Sequence, residues 1–257
     1  MSPTPSRDDH RLWHLGCHPG ELGQVAILTS EALFLKAAAT LLENSRSVAA
    51  NREFSIVTGQ YLQLAIGVVA IGLGAPCMAI AVEELKMAGI STLIYVGDYL
   101  PLDLSTVGSR IYIPHAAIRD EVTSQQYVPL AYPALADPDL VEALIRSARD
   151  EGENPHGGWC LSTDSPYQHL QPAQRPLSIE IERLNAFCAY LGIWGMDLSA
   201  STLFTVARVL GLRSAALLHP DLHRPEVGPT LLRIALAAFL RGLKPSGINQ
   251  NPPERNS

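Results

Sequence analysis

The sequence is poor in the features that mark nucleic-acid-binding, membrane and secreted proteins. Among its 257 residues no basic run or cluster stands out and the formal net charge is -6, so nucleic acid is not an expected partner. No apolar run reaches the length of a membrane span, and residues 1–10 lack the apolar core of a signal peptide. We therefore expect a cytoplasmic protein, away from membranes, that works on small molecules.

Paired cysteine motifs are also missing. The four cysteines are scattered without a C-x-x-C pair, which predicts free thiols in a reducing compartment. A hydrophobic fraction of 47% against a charged fraction of 17% is typical of a compact globule, and the length suits one domain. We place this domain at residues 11–244 and expect the polar segments 1–10 and 245–257 to be disordered tails.

The order of apolar segments predicts an α/β fold. Short runs rich in Val and Ile alternate with longer amphipathic stretches, which is the pattern of helices packed on a mostly parallel sheet. Strands are predicted at 25–29, 68–71, 93–96, 110–114 and 215–218, with a hairpin of 54–58 and 61–66 that turns at 58–60. Helices are predicted from about Pro76 and at 137–149, 178–191, 199–210 and 228–243. Because ligands collect beyond the carboxyl ends of parallel strands, the site is expected near Thr29, Gly72, Gly97, Asp197 and Leu218.

Two segments give the sequence a family likeness. Residues 72–85 read GLGAPCMAIAVEEL, a glycine-bearing turn from a strand into a helix, and residues 117–137 read AIRDEVTSQQYVPLAYPALAD. Both resemble the nucleoside phosphorylase superfamily, in particular the uridine and the hexameric purine nucleoside phosphorylases, and weaker likeness covers 13–241. The resemblance implies a single-domain, three-layer α/β fold with a central mixed, mostly parallel sheet. It also implies a homodimer, or a hexamer built from dimers, and no cofactor.

Members of that family cleave the N-glycosidic bond of a nucleoside with phosphate, or with water in the nucleosidase branch. Their first strand ends in a Pro-Gly-Asp-Pro-x-Arg turn that holds phosphate, whereas residues 29–34 read TSEALF and place Phe34 at the arginine. A second family arginine lies in an Arg-x-Gly-Thr motif, which is replaced here by Tyr95, Val96, Gly97 and Asp98. These changes exchange cations for aromatic rings and a carboxylate, so we expect inorganic phosphate to be repelled.

Arg52 is the one residue that matches a phosphate-binding arginine of the family, and the resemblance implies that it reaches into the neighbouring subunit. Two alternatives remain open. In the first, the strands align differently, so that Arg46 or Arg119 fills the gap and the chain is an ordinary phosphorylase. In the second, Asp98 is protonated or paired with Arg52, which makes it structural.

The resemblance also implies where a sugar is held. The Glu-Met-Glu motif of the family corresponds to Asp197, Leu198 and Ser199, so one carboxylate is shorter and the other is lost. The alternative for Asp197 and Ser199 is that they are helix caps. His14 matches a family histidine that touches the sugar in the neighbouring subunit's site, which gives the partner subunit two contributions, His14 and Arg52.

For the base, the uridine enzymes use a Gln-x-Arg pair after an Asp-x-Phe-Tyr segment, and this chain keeps only a version of that segment ending at Tyr167. Asp221 falls at the position of the acid of purine enzymes and is the best candidate for a proton donor. His219, Asp221 and His223 alternate as metal ligands on a strand would, but Pro220 interrupts the pattern. No metal site is predicted.

Taken together, the residues predict a divergent enzyme that acts on a nucleoside or a nucleoside-like small molecule without inorganic phosphate. Asp221 would protonate or orient the leaving group, and Asp98 would act as a base or stabilise charge near the reacting carbon. Water hydrolysis or an intramolecular step would replace phosphorolysis.

Two rival hypotheses accompany this prediction. In the first, the fold has been repurposed for an apolar substrate of secondary metabolism, held in a pocket lined by Phe34, Tyr95, Leu198 and Ser199. In the second, the chain is a non-catalytic binder or a structural dimer.

Overall fold

The computed structural model describes residues 10–102 and 111–243, and this part of the chain forms eleven strands and seven α-helices. The strands are β1 Val25–Thr29, β2 Glu43–Asn51, β3 Phe54–Tyr61, β4 Leu64–Ala70, β5 Thr92–Asp98, β6 Leu100–Pro101, β7 Tyr112–Asp120, β8 Ala134–Leu135, β9 His156–Thr163, β10 Gly195–Asp197 and β11 Arg213–His219. The helices are α1 Leu33–Leu41, α2 Ala75–Met87, α3 Pro138–Asp150, α4 Pro166–Leu170, α5 Ser178–Tyr190, α6 Ala200–Val209 and α7 Val227–Gly242.

The strands form one mixed sheet in the order β2-β3-β4-β1-β5-β11-β7-β9-β10-β6, with β8 paired to β7. Its centre, β4-β1-β5-β11, is parallel, while β7 runs antiparallel to β11. Near its far end, β6 follows β5 directly in the chain and pairs with β10. This connection brings the carboxyl end of β5 close to the corner between β10 and α6. The predicted α/β fold is confirmed.

The core lies around the central strands. Every side chain of β1 is buried, and β5 is buried from Thr92 to Gly97. Because consecutive side chains of a strand point to opposite faces, this burial means that both faces of the sheet are covered. Helices α1 and α3 both pack on α7, and α2 packs on α6. No helix in the described ranges has the length and apolarity needed to cross a membrane.

The hairpin lies in the predicted region, but its predicted turn was wrong. Strand β3 continues to Tyr61, and the chain reverses at Leu62 and Gln63, whose φ angles are 47° and 68°. Two left-handed residues between paired strands are the geometry of a two-residue hairpin turn. Gly59 lies within β3 and not in the turn. A side chain at position 59 would meet Leu42 and the Glu43 carbonyl, so the glycine permits a close approach of the neighbouring backbone.

Several elements that position the site were not predicted, namely α1, β2, β6, β9, α4 and β10. Strand β2 is largely polar and exposed, and β10 has only three residues. The strand predicted at 110–114 is β7, which runs on to Asp120. The predicted tails lie outside the described residues, except for His10.

Candidate functional site

The carboxyl end of β5 carries Tyr95, Gly97 and Asp98, and the tyrosine ring is folded back over the glycine. A Cβ atom at position 97 would lie 2.2 Å from Tyr95 Cζ, so only glycine permits this arrangement. Tyr95 is 3% exposed and belongs to the hydrophobic core. The ring therefore fills the space beside Gly97 that a side chain at this position would need.

The Tyr95 hydroxyl is influenced by polar side chains from two other elements. Ser30, just after β1, and Ser199, at the start of α6, lie near it, and their hydroxyl groups act to lower its pKa. Ser30 Oγ also donates to Asp98 Oδ1 over 3.2 Å. Burial, followed by the charges of Asp98 and Asp197, raises the pKa of Tyr95 well above its ordinary value, so the hydroxyl group stays neutral.

Asp197 is the most enclosed carboxylate of this group, with 3% exposure. Its Oδ1 accepts from Ser162 Oγ at 2.6 Å and lies 3.8 Å from Cys160 Sγ. Its Oδ2 accepts from the backbone N–H groups of Ser199 and Ala200 at 2.8 and 2.6 Å. Burial is the main cause that raises the pKa of Asp197 to about 6, and Asp98 adds to the shift. Both oxygens thus support the corner between β10 and α6, as a helix cap would.

Neither carboxylate of the site has a cation partner in the described part of the chain, where the ion pairs include neither Asp98 nor Asp197. Arg119 donates to the carbonyls of Val128, Pro129 and Tyr132, so it holds a loop together. Exposed Arg46 lies 3.6 Å from a Glu21 oxygen. Neither of these two arginines replaces the missing cations.

Phe34 and Leu198 lie on different elements. Phe34 is buried in α1 and packs towards Gly228 at the start of α7. It borders a cavity of about 380 Å³ whose lining also includes Leu222. Leu198 is partly buried and joins β10 to α6, beside Asp197. Tyr95, Gly97, Asp98, Asp197 and Ser199 are thus brought together, whereas Phe34 lies in the packing between helices.

His14 and Arg52 lie in neighbouring segments at the surface. Asn51 Nδ2 donates to the His14 carbonyl over 2.6 Å, and exposed Arg52 follows Asn51 at the turn between β2 and β3 with a φ of 55°. The His14 ring is partly exposed, and its Nδ1 lies 2.7 Å from Glu84 Oε1. The Asn51 side chain thus links the segment of His14 to the turn that carries Arg52.

Asp221 lies just beyond β11, whose last residue His219 is in register with Asp98. Asp221 is 40% exposed at its side chain, and its carboxylate accepts from Arg224 Nε over 2.8 Å. The His219 ring accepts from the Asp221 backbone N–H group, and burial lowers the pKa of that ring. The residues described here form no group of three or more side chains suited to a metal ion.

Tyr167, the predicted base contact, is 71% exposed on α4. The same region borders a cavity of about 550 Å³ beneath α4 and α5. His169 is buried there, with Nε2 at 3.3 Å from Asp120 Oδ2 and Nδ1 at 2.8 Å from Asn185 Oδ1. Its hydrogen bond to Asp120 is the main cause that raises the pKa of His169.

Three residues of this arrangement carry no signal that sequence reasoning uses. Ser162 and Cys160 contact Asp197 from β9, more than thirty residues away in the chain. Glu84 lies in the recognisable segment 72–85, but an acidic residue next to another acidic residue on a helix indicates a solvated face. It is buried instead. All four cysteines are free thiols.

Comparison with known proteins gives consistent matches. The family model of the phosphorylase superfamily matches residues 24–225. The uridine phosphorylase of Thermococcus kodakarensis is 31% identical over 219 residues, which cover 82% of this chain and 76% of the relative. The guanosine phosphorylase of Halorubrum lacusprofundi is 29% identical over 214 residues, 81% of this chain and 82% of the relative. The crystal structure of a uridine phosphorylase from Vibrio fischeri superposes with a TM-score of 0.77 at 25% identity, covering 93% of this chain and 99% of that one.

Proposed function

Because this chain belongs to the phosphorylase superfamily, we propose that it is an enzyme that cleaves the N-glycosidic bond of a nucleoside or a nucleoside-like molecule without inorganic phosphate. The observation that carries the proposal is the group at the end of β5, where Tyr95, Ser30 and Asp98 lie together without a cation among the described residues, at positions that the resemblance assigns to an anion site. Water or an internal group of the substrate takes the place of phosphate as the nucleophile.

Electrostatics supports the exclusion of phosphate. Asp98 and Asp197 influence each other, and no ion pair within the described ranges neutralises either of them. Two like charges 4 Å apart near a protein surface repel each other by about 4 kcal/mol, so a phosphate dianion beside Asp98 is strongly disfavoured. The neutral Tyr95 hydroxyl group offers a dipole but no positive charge.

Asp98 is the residue best suited to assist a water molecule. It is partly exposed, and within the described chain only its Oδ1 is engaged, by Ser30. A carboxylate beneath an oxocarbenium-like carbon can orient water or stabilise positive charge. Asp221, on the same edge of the sheet, is proposed to protonate or orient the leaving group, and Tyr167 to contact it.

The sugar is proposed to lie at the corner between β10 and α6, near Leu198 and Ser199. Because Asp197 uses its oxygens on neighbouring groups, its contribution is to hold this corner in place and to add negative charge. His14 and Arg52 of a second protomer complete the proposed site, which makes a homodimer the smallest working unit. The proposed location of the enzyme is the cytoplasm.

The test compares uridine, guanosine and inosine as substrates with and without inorganic phosphate. We expect release of the free base with free ribose at a rate that phosphate does not raise, and a loss of about 10²-fold or more in Asp98→Asn. Asp139→Asn, on α3, is the control and should keep full activity. Accumulation of ribose 1-phosphate only when phosphate is present would refute the proposal.

A second candidate is supported by the cavity of about 380 Å³ at Phe34 and Leu222. In this case the fold takes an apolar metabolite instead of a nucleoside. The same experiment separates the two, because this candidate requires inactivity on all nucleosides together with thermal stabilisation by apolar metabolites. Unchanged behaviour of Asp98→Ala and Asp221→Ala, with the dimer intact, would instead favour a non-catalytic binder.

A further inference from the structure

Glu84 is a buried carboxylate on α2 that takes no part in the proposed reaction. Its oxygens accept from the His14 backbone N–H group at 2.9 and 3.1 Å and from the Leu15 backbone N–H group at 2.8 Å. Its Oε1 also lies 2.7 Å from His14 Nδ1. Burying a charge is unfavourable unless hydrogen bonds compensate it, and here every bond comes from a single segment. Glu84 therefore serves the segment that carries His14.

The contact with Glu84 decides which nitrogen of His14 carries a proton. An ionised carboxylate can only accept hydrogen bonds, so the proton of the 2.7 Å contact belongs to Nδ1. A neutral imidazole has one N–H group, and Nε2 is then left with a free lone pair. His14 in its neutral form is thus an acceptor at Nε2.

The ring is also fixed in direction. It meets Phe54 edge-on, with ring centroids 6.2 Å apart and an interplanar angle of 64°. Asn51 Nδ2 donates to the His14 carbonyl, and Arg52 is the next residue in the chain. With Nδ1 held by buried Glu84 and 31% of the His14 side chain exposed, Nε2 is the ring nitrogen left for a ligand.

We propose that Glu84 is a positioning residue that fixes His14 in the Nδ1–H tautomer, so that Nε2 accepts a hydrogen bond from a hydroxyl group of the substrate bound in the partner subunit. The inference rests on the proposed function for the nature of the substrate, a sugar-bearing molecule. The part of the inference that assigns the tautomer of His14 depends only on the contacts of Glu84.

Glu84→Gln inverts this arrangement. The amide oxygen of glutamine takes the Oε2 position, where it accepts from the backbone N–H groups of His14 and Leu15, because an NH₂ group there would oppose two donors. The NH₂ group takes the Oε1 position and gives up the second contact with the His14 N–H group. The NH₂ group then points at Nδ1, which becomes the acceptor, and the proton moves to Nε2. An acceptor at the surface is replaced by a donor with almost no change in shape.

The experiment combines ¹⁵N NMR of the histidine side chains with steady-state kinetics on the full-length dimer. With the His14 ring neutral, we expect the Nδ1–H tautomer in the wild-type protein and the Nε2–H tautomer in Glu84→Gln. We expect KM for a nucleoside to rise about three- to tenfold in the variant, with kcat within about twofold, because a binding contact is lost. Exposed Glu142→Gln on α3 is the control and should match the wild type in both readouts.

The outcomes separate the inference from the proposed function. An Nε2–H tautomer of His14 in the wild type overturns the inference, and this measurement holds even if the variant fails to fold. A switched tautomer in Glu84→Gln with unchanged KM also overturns it, since the acceptor then does not contact the substrate. An Nδ1–H tautomer in a wild type that cleaves no nucleoside upholds the role of Glu84 in fixing the ring and contradicts the proposed function alone.

Discussion

The ring of Tyr95 fills the space that a side chain at position 97 would need, so the residue types at these two positions depend on each other. Because a Cβ atom at position 97 would lie 2.2 Å from the tyrosine ring, Gly97→Ala must displace that ring and its hydroxyl group. We expect a loss of about 1–3 kcal/mol in the free energy of unfolding, as for other overpacked cores, measured by urea unfolding. Tyr95→Leu in the same chain should recover part of this loss. Equal destabilisation by Gly97→Ala in both backgrounds would show that the ring is not the obstacle.

Asp197 makes stability depend on pH in a direction opposite to that of most carboxylates. Its pKa is raised from 3.8 to about 6, mainly by burial, so the folded protein keeps the proton to higher pH than the unfolded chain does. The free energy of unfolding that this proton uptake contributes is fully present below about pH 3.8 and is lost as the pH rises through about 6.

Asp197→Asn should remove this dependence, because the amide oxygen can still accept from Ser199 and Ala200 while carrying no charge. We expect the difference in the free energy of unfolding, variant minus wild type, to be about 2 kcal/mol larger at pH 7 than at pH 4.5. Urea unfolding at the two pH values measures the difference. A stability difference that stays constant with pH would mean that Asp197 titrates near its ordinary value.

At the scale of elements, the hairpin of β3 and β4 reverses through residues that do not favour the required backbone. Leu62 and Gln63 both have a left-handed φ, a conformation that Asn and Gly adopt at lower cost. The double substitution Leu62→Asn, Gln63→Gly should therefore raise the free energy of unfolding by about 1 kcal/mol, measured by urea unfolding. Gln63→Ala alone should give no gain. A loss of stability in the double variant would argue against this turn geometry.

The same hairpin shows what a sequence pattern can and cannot predict. The apolar run of β5 and the amphipathic pattern of α3 give their elements directly, because each pattern has the period of its structure. Gly59 led to the wrong prediction of the turn at 58–60, because this glycine permits a close approach to Leu42 and does not form the turn. Strand β9 was missed because its first half, with two glycines, is half-exposed and gains its strand conformation from pairing with β7.

The candidate site divides in a similar way. The residues Phe34, Tyr95 and Asp98 are read directly from the sequence, and their assignment to the anion site of the family stays a prediction of the resemblance. The hydrogen bonds of Asp197 could not be predicted, because its partner Ser162 lies thirty-five residues away and is brought near only by the pairing of β9 with β10. Contacts of this kind depend on register, which a single sequence does not specify.

At the scale of the whole molecule, the division of the proposed site between two protomers makes a specific prediction. In the proposed site Asp98 comes from one protomer and Arg52 from its neighbour, so Asp98→Asn and Arg52→Asn are each expected to inactivate every site of their own homodimer. Asparagine tolerates the left-handed backbone at position 52, which protects the fold of that variant. In a hybrid dimer of the two variants, both substitutions fall in one site and the other site is intact.

Mixing the two inactive variants in equal amounts, with reassociation of protomers, should therefore restore about a quarter of wild-type activity, since half of the dimers are hybrids with one intact site each. Base release before and after mixing measures the recovery, and mass spectrometry of differently labelled chains reports the hybrid fraction. A mixture of Asp98→Asn with Asp221→Asn serves as the control and should recover nothing, because both residues belong to the same protomer's site. Hybrids that form in the expected proportion and stay inactive would show that Arg52 serves its own protomer, and would remove the dimer from the catalytic unit.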